Sequence, residues 1–184
     1  PLSLEGYLFP DTYDLFWGSD VRPVIQRMIR RFGEVFVDSL RTRTRQQGFS
    51  IHQLVTLASI IEKEAQLAEE RAWISAVFHR RLKKRMPLQA DPTVQYAVGA
   101  YRKRLTKDDL NVDSPYNTYR YPGLPPGPIA NPGKASILAA LYPADVRYLY
   151  FVAKGDGSHI FSRTLRAHLA AKRKVKRERG TPSN

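Results

Sequence analysis

The start of a helix at Ser50 is the most specific structural signal in this sequence. Gln53 follows three residues later, and this spacing forms a capping box, in which each side chain accepts a hydrogen bond from the backbone N–H of the other residue. Phe49 and Leu54 are placed to form a hydrophobic staple around it. Apolar residues then recur at helical spacing, at Leu54, Leu57, Ala58, Ile61, Ala65 and Ala68. The chain is therefore built around a core helix that begins at Ile51.

Two further helical patterns flank this segment. A run from Trp73 to about Lys84 repeats the apolar spacing, and the sequence leaves open whether residues 66–70 interrupt it. Residues 21–46 predict one core helix, closed by Gly48. Its apolar stripe consists of Val24, Met28, Ile29, Phe32, Val35, Phe36 and Leu40.

Shorter elements follow in the second half of the chain. Asp91 is the predicted N-cap of a short helix to Val98, with Pro92 at the first helical position. Residues 106–109 offer a second capping box. The Ala-rich residues 134–141 predict another short helix.

The fold class follows from the last elements. Residues 119–133 contain five prolines and three glycines, which predicts a long, stiff loop. Residues 147–153 and 159–162 read as strands joined by a turn over 154–158. Without βαβ alternation, the pattern predicts an α+β fold, rich in helices, with a short antiparallel hairpin near the C-terminal end.

Length and charge set the broad class. The 184 residues suit one domain, and the net charge of +13 points to polyanionic partners. Residues 163–179 hold eight basic residues and one acid, and no aromatic residue interleaves with them for base stacking. We therefore interpret this stretch as a solvated basic helix and expect no specific nucleic acid partner. The basic clusters over 27–31 and 80–85 predict exposed helix faces.

Several kinds of site find no support in the residues. The absence of cysteine excludes disulfides and thiolate chemistry. The four histidines show no metal-ligand spacing, and no phosphate-binding or nucleotide-binding motif occurs. We therefore expect no metal and no cofactor. No apolar stretch in the sequence is long enough to cross a bilayer.

Two carboxylates lie in the best-predicted helix. Glu62 and Glu64 point about 200° apart at roughly 100° per residue, so they cannot share one task. The residues one turn from Glu64 are all apolar: Ile60, Ile61, Leu67 and Ala68. Such surroundings raise the pKa of a carboxyl and suit a general acid, which favours Glu64 over Glu62. The alternative is a surface Glu64 paired with a cation.

Two turn regions carry amides, hydroxyls and aromatic rings together. They span residues 88–96 and 114–119. Sugars bind to this mixture, because rings cover their apolar faces while polar groups satisfy their hydroxyls. The residues alone leave equally open that Asp91 caps a helix and Asn117 stabilises a turn.

Five ordered motifs carry a family resemblance. They are LASIIEKE at 57–64, LQADPTV at 88–94, YNTY at 116–119, GLPPGPI at 123–129 and YLYFVA at 148–153, and the opening EGYLFPDTY at 5–13 agrees as well. Together they resemble the endolytic murein transglycosylases of the YceG-like family, from near residue 4 to about residue 170.

The resemblance implies a bacterial protein of the inner membrane with its catalytic domain in the periplasm. Residues 1–170 would be that domain and 171–184 a basic tail, with an N-terminal anchor and a LysM-like subdomain absent from this chain. The family's activity is cleavage of the MurNAc-β-1,4-GlcNAc bond inside nascent glycan strands, which leaves 1,6-anhydro-MurNAc ends and terminates elongation. The implied partners are peptidoglycan strands and peptidoglycan synthases.

The family's catalytic glutamate falls on Glu64. Because the substrate's own C6 hydroxyl replaces the attacking water, one glutamate serves as acid and then as base. The predicted substrate-binding set contains Glu62 as a supporting residue together with Gln89, Asp91, Tyr116, Asn117 and Tyr119. Three alternatives stay open: a hydrolytic muramidase with Asp91 as second carboxylate, a non-catalytic peptidoglycan-binding module, and a basic nucleic-acid-binding domain.

Overall fold

The computed structural model describes residues 3–18, 20–99 and 105–180. Within these ranges the helices are α1 Val21–Val35, α2 Asp38–Gln46, α3 Ile51–Glu64, α4 Arg71–Lys83, α5 Asp91–Val98, α6 Lys107–Leu110, α7 Lys134–Leu141 and α8 Leu165–Gly180. A 3-10 turn spans Ala68–Glu70, and the strands are β1 Tyr150–Ala153 and β2 His159–Ser162. The predicted α+β class, rich in helices with a late hairpin, is confirmed.

Helix α3 is the centre of the molecule. The capping box between Ser50 and Gln53 is present in both directions, which confirms the predicted start. Every residue from 54 to 61 is buried, and α3 packs against α2, α4, α5 and α7. A helix that is apolar on all sides needs such complete cover. Glu64, the last residue of α3, therefore lies on the most firmly held element of the fold.

The single helix predicted over 21–46 is wrong, since the structure divides it into α1 and α2. Phe36 and Val37 leave the helical conformation, and Val37 is extended with ψ at 168°. Phe36 is fully buried and its ring stacks on Phe32 at 5.4 Å. Both helices direct apolar residues into the same core. The apolar stripe therefore continues across the break between α1 and α2, and the spacing of apolar residues did not reveal that break.

The structure defines two helix boundaries, at the end of α3 and at the start of α5. The α-helical conformation does not continue from α3 into α4, because Ala65 is extended and a 3-10 turn precedes α4. The predicted N-cap at Asp91 is wrong by one residue, since Ala90 occupies that position without a side-chain cap and Asp91 is the first helical residue. The Asp91 carboxylate is thereby available for another partner.

The hairpin and α8 close the C-terminal side. Strands β1 and β2 pair antiparallel, with Tyr150 opposite Ser162 and Phe151 opposite Phe161. Helix α8 packs on the hairpin, burying Ala171 and Val175, and its other faces are mostly exposed. The basic C-terminal helix is thus confirmed as far as residue 180, and residues 181–184 lie outside the described ranges.

No helix in the described ranges is both long enough and apolar enough to cross a bilayer. Helix α8 continues through residues 170 and 171 without a break, so the boundary between a domain over 1–170 and a tail over 171–184 stays a prediction.

Candidate functional site

Glu64 ends α3 in a partly exposed position. Burial, the largest cause, and then the negative charge of Asp91 raise the pKa of its carboxyl to about 8, while Arg81 opposes them. The carbonyl end of a helix also disfavours an anion. A carboxyl with this pKa is mostly protonated at neutral pH and is able to donate a proton. The raised pKa supports Glu64 over Glu62 as the general acid, which stays a prediction.

Asp91 and Tyr119 form the nearest polar pair. The Tyr119 hydroxyl donates a hydrogen bond to Oδ1 of Asp91 at 2.5 Å. Burial and the Asp91 charge raise the pKa of Tyr119, so its hydroxyl stays neutral, and the charge of Glu64 contributes in the same direction. Asp91 is exposed and Tyr119 partly exposed, so both are within reach of a ligand. The structure brings these two predicted residues to Glu64.

The turn that carries Gln89 and Asp91 is held by buried threonines. The backbone N–H of Ala90 donates to Oγ1 of Thr118 at 3.1 Å, and Oγ1 of Thr93 lies 2.8 Å from the same Thr118 atom. Gln89 has a left-handed φ of 51°, a conformation that non-glycine residues rarely adopt. The loop over 114–121 therefore fixes where Asp91 and Gln89 lie.

Arg81 is the functional candidate that the sequence interpretation missed. The basic run over 80–85 was predicted to be an exposed helix face, yet Arg81 is only 6% exposed. Its guanidinium donates to the backbone carbonyls of Leu149 at 2.8 Å, Leu88 at 2.8 Å and Pro87 at 3.2 Å. The pKa of Arg81 is lowered by burial, and Glu64 is among the groups whose charge opposes that change.

Arg81 makes further contacts with Gln89 in the turn and with the Tyr150 ring. Its Nη1 also approaches Oε1 of Gln89 at 3.4 Å, and its guanidinium lies over the Tyr150 ring, 5.2 Å from the centroid. One signal in the sequence was available, because Arg81 continues the apolar stripe of Ile74, Val77 and Phe78 on α4. The neighbouring Arg80 is also not part of an exposed face, since it is partly buried and donates to the Val146 carbonyl at 2.6 Å.

Three predicted residues lie elsewhere. Glu62 turns toward α7, where its carboxylate accepts a hydrogen bond from the Gly133 backbone N–H at 3.1 Å. Asn117 is fully buried, and its amide donates to the Leu110 and Val112 carbonyls while its Oδ1 accepts from the Tyr119 backbone N–H. These contacts support turn stabilisation by Asn117 in place of sugar binding.

Tyr116 is also separate from Glu64. Its ring packs on Tyr96, at the opposite end of α5 from Asp91, with 4.7 Å between the ring centroids. The stiff loop over 119–133 runs beside both places and is fixed to α3 where the Ile129 backbone N–H donates to the Ser59 hydroxyl at 3.0 Å. Of the predicted sugar-binding set, Gln89, Asp91 and Tyr119 therefore lie on the turns beside Glu64, Tyr116 lies beside Tyr96, Glu62 faces α7 and Asn117 is buried.

The described residues contain no group of three or more His, Asp or Glu side chains placed to hold a metal ion. What they assemble is a protonated carboxyl, an aspartate and tyrosine pair beside it, and a buried arginine behind the turn. This arrangement is suited to proton transfer at a ligand that reaches Glu64 from solvent.

Comparisons with known proteins find relatives that match most of the chain. The sequence profile of the YceG-like family matches residues 2–174. The chain is 47% identical over 173 residues to a Bacillus subtilis protein named endolytic murein transglycosylase, and 36% identical over 155 residues to one of the same name from Streptococcus pneumoniae. Those matches cover 93% and 82% of this chain.

A crystal structure of a yceG-like protein from Listeria monocytogenes superimposes with a TM-score of 0.83 and is 48% identical, covering 91% of this chain and 55% of that one. The chain spans 48% of the Bacillus subtilis protein and 28% of the Streptococcus pneumoniae protein, so it corresponds to one part of longer relatives.

Proposed function

The chain belongs to the YceG-like family, and we propose from this membership and from the geometry around Glu64 that it is a lytic transglycosylase of peptidoglycan. It cleaves the β-1,4 bond between MurNAc and GlcNAc within glycan strands. The observation that carries the proposal is the Glu64 carboxyl, which is partly accessible at the end of a buried helix with its pKa raised to about 8.

The reaction needs no group beyond Glu64 and the substrate. Protonated Glu64 gives its proton to the glycosidic oxygen as the bond from that oxygen to C1 of the muramoyl residue breaks. The muramoyl C6 hydroxyl then bonds to C1, and its proton passes to the Glu64 carboxylate. This step closes a 1,6-anhydro ring and restores the protonated acid, so a single glutamate acts as general acid and general base.

Neighbouring residues prepare Glu64 for both steps. The Asp91 charge favours the protonated state before bond cleavage, and the Arg81 charge stabilises the carboxylate that forms during it. Asp91, Tyr119 and Gln89 supply a carboxylate, a hydroxyl and an amide for sugar hydroxyls near the scissile bond. Glu62 and Asn117 have no direct role in this scheme, because their polar groups serve other parts of the fold.

The wider setting is part of the same proposal. Cleavage inside nascent strands terminates their elongation, and peptidoglycan synthases are the expected partners. Such a substrate lies outside the cytoplasm, so the full-length protein is proposed to hold this domain in the periplasm through an N-terminal anchor in the inner membrane. This proposal includes an N-terminal anchor and a LysM-like subdomain in the longer protein.

The test is mass spectrometry of products from purified, un-crosslinked glycan strands. The wild-type chain is compared with Glu64→Gln and with Glu62→Gln, a matched carboxylate two residues earlier on α3. We expect internal cuts with 1,6-anhydro ends from the wild type and from Glu62→Gln. Loss of the general acid and base in Glu64→Gln lowers the rate by about 10²-fold to 10⁴-fold.

Other products would overturn the proposal in distinct ways. Reducing ends in place of anhydro ends indicate a hydrolytic muramidase and require a second catalytic carboxylate, for which Asp91 is the candidate. Strand binding without any cleavage indicates a non-catalytic peptidoglycan module. Unchanged cleavage by Glu64→Gln would show that another residue is the general acid.

A further inference from the structure

A concave site lies at the start of α3, away from Glu64. It encloses about 390 Å³ and is lined by Ser3, Glu5, Tyr7, His52, Tyr96, Tyr116, Pro126, Gly127 and Pro128. His52 is the second residue of α3 and Glu64 the last, so this cavity begins about 18 Å along the helix axis from the catalytic carboxyl.

Aromatic rings make up much of its wall. Tyr96 and Tyr116 pack with 4.7 Å between their centroids and 42° between their planes, so they form an angled wall, and Tyr96 is 37% exposed. Tyr7 and His52 stack on a second side, with 6.3 Å between centroids. Pro126, Gly127 and Pro128 supply part of the stiff loop as a third side.

The polar groups in the cavity are already oriented. The Tyr96 hydroxyl donates to Oε2 of Glu5 at 2.6 Å. Because Nε2 of His52 lies 2.8 Å from the Pro126 carbonyl, that nitrogen carries the proton, and Nδ1 accepts from the Tyr7 hydroxyl at 3.0 Å. These contacts hold the aromatic side chains that line the cavity in fixed positions.

The same two elements connect this cavity with the catalytic site. Helix α5 and the loop over 114–121 contact each other through Asp91 and Tyr119 at one end, and through Tyr96 and Tyr116 at the other. The buried contact between Thr93 and Thr118 lies between them. Asp91 and Tyr96 are about 7.5 Å apart along α5, so an extended polymer lying on this pair of elements reaches both places.

We propose that this cavity, which we name the tyrosine pocket, is a remote subsite for a neutral N-acetylated sugar of the glycan strand. The inference rests on the proposed function. The ring faces of Tyr96 and Tyr116 pack against the apolar face of the sugar, and Glu5 accepts hydrogen bonds from its hydroxyl or amide groups. The negative charge of Glu5 disfavours an anionic ligand, so the sugar and not a carboxylate of the peptide stem occupies the pocket.

A remote subsite fits cleavage inside a long strand. Contacts several sugars from the scissile bond position the strand over Glu64, and short fragments that occupy only the catalytic end lack them. The tyrosine pocket therefore selects for strand length.

The experiment measures binding of long and short un-crosslinked glycan strands in the Glu64→Gln background by calorimetry. We expect Tyr96→Ala to weaken binding of long strands at least fivefold. Tyr96→Phe keeps the ring but loses the hydrogen bond to Glu5, so it should restore most of the binding that Tyr96→Ala loses. Tyr142→Ala, which removes another exposed tyrosine outside both sites, is the matched control. In the otherwise wild-type chain, Tyr96→Ala should raise KM for long strands by a larger factor than it lowers kcat.

Hydrogen exchange of the Glu64→Gln protein keeps the inference testable if Tyr96→Ala fails to fold. Long strands should protect the backbone amides near 96–99 and the amide of Gly127 in addition to the region of Glu64. Equal binding by Tyr96→Ala and its parent, or protection confined to the Glu64 region, would overturn the subsite. Strand binding at the pocket without anhydro products would instead refute the proposed reaction and retain the subsite.

Discussion

The Tyr119 hydroxyl donates its hydrogen bond to Asp91, the same carboxylate whose charge raises the pKa of Glu64. Arg81 acts on Glu64 in the opposite direction and also binds the turn that leads to Asp91. Glu64 is therefore set between two charged groups of opposite sign, and each is open to removal by one substitution.

Replacing Asp91 by Asn removes the charge that raises the pKa of Glu64. The general acid then deprotonates at lower pH, so the falling limb of the kcat profile moves to lower pH. Because a lytic transglycosylase needs one carboxyl, Asp91→Asn should keep about a tenth or more of the activity, while Glu64→Gln loses about 10²-fold or more. Steady-state rates across pH 5 to 10 provide the check. Equal loss in both variants would favour the hydrolytic mechanism.

Replacing Arg81 should have the opposite effect on the pH profile. Arg81→Met removes the charge that favours the Glu64 carboxylate, so the falling limb moves to higher pH. It also leaves backbone carbonyls at Pro87, Leu88 and Leu149 without their donor, which lowers the free energy of unfolding by at least about 2 kcal/mol.

Arg81→Lys separates these two effects. Lysine keeps the positive charge but lacks the planar fork that reaches several carbonyls. The falling limb of the kcat profile should stay close to its wild-type pH, while the Tm should still be lower than that of the wild type. If the falling limb moves equally in Arg81→Met and Arg81→Lys, the geometry of the turn, and not the charge, controls the pKa of Glu64.

The raised pKa of Glu64 makes the stability of the fold depend on pH. Below pH 4.5 the folded and unfolded states are both protonated at this group, so it adds nothing. Between pH 4.5 and about 8 only the unfolded state loses the proton, and the free energy of unfolding falls by roughly 1.4 kcal/mol per pH unit. Above that range the cost is constant.

Glu64→Gln should remove this cost. The variant is expected to match the wild type in denaturant titrations near pH 4.5 and to exceed it by several kcal/mol at pH 8. A difference between the two proteins that is constant across this range would show that the carboxyl ionises as readily in the folded chain as in the unfolded chain.

Glu62 is expected to support the fold and not the reaction. Glu62→Ala removes the acceptor for the Gly133 N–H at the start of α7 and should destabilise the protein by about 1–3 kcal/mol, seen as a lower Tm. Turnover of the folded protein should stay at the wild-type level at 25 °C. A fall in kcat without a fall in Tm would return Glu62 to the substrate-binding set.

The sequence predicted the elements that depend on neighbouring residues. The capping box at Ser50, the box at 106–109 and the hairpin turn each use contacts within a few positions, so local patterns sufficed. The break at Phe36 was missed because the apolar stripe on both sides faces one core. Its cause is the burial of Phe36 against other elements, which spacing does not record.

The site was predicted only in part, because the sequence pattern records neighbouring residues and not contacts between distant elements. Ile60 and Ile61, one turn before Glu64 on α3, are buried as the spacing indicated, but α3 ends at Glu64, so Leu67 and Ala68 are not on the same helix and Ala68 is exposed. Arg81 was assigned to the surface by its charge, although its acceptors at Leu149 and Leu88 come from the fold. Asn117 was assigned to sugar because its amide suits a sugar, while its actual partners, Leu110 and Val112, lie on the preceding turn.

The contact between Arg81 and Leu149 spans 68 residues and determines when the site is complete during synthesis. The ribosome releases Glu64, Arg81 and Asp91 long before Leu149 and Tyr150, so the turn beside Glu64 has no acceptor for the Arg81 Nε until the hairpin emerges. A nascent or truncated chain that ends before residue 149 lacks this acceptor, so Arg81 cannot hold the turn beside Glu64 as it does in the complete fold.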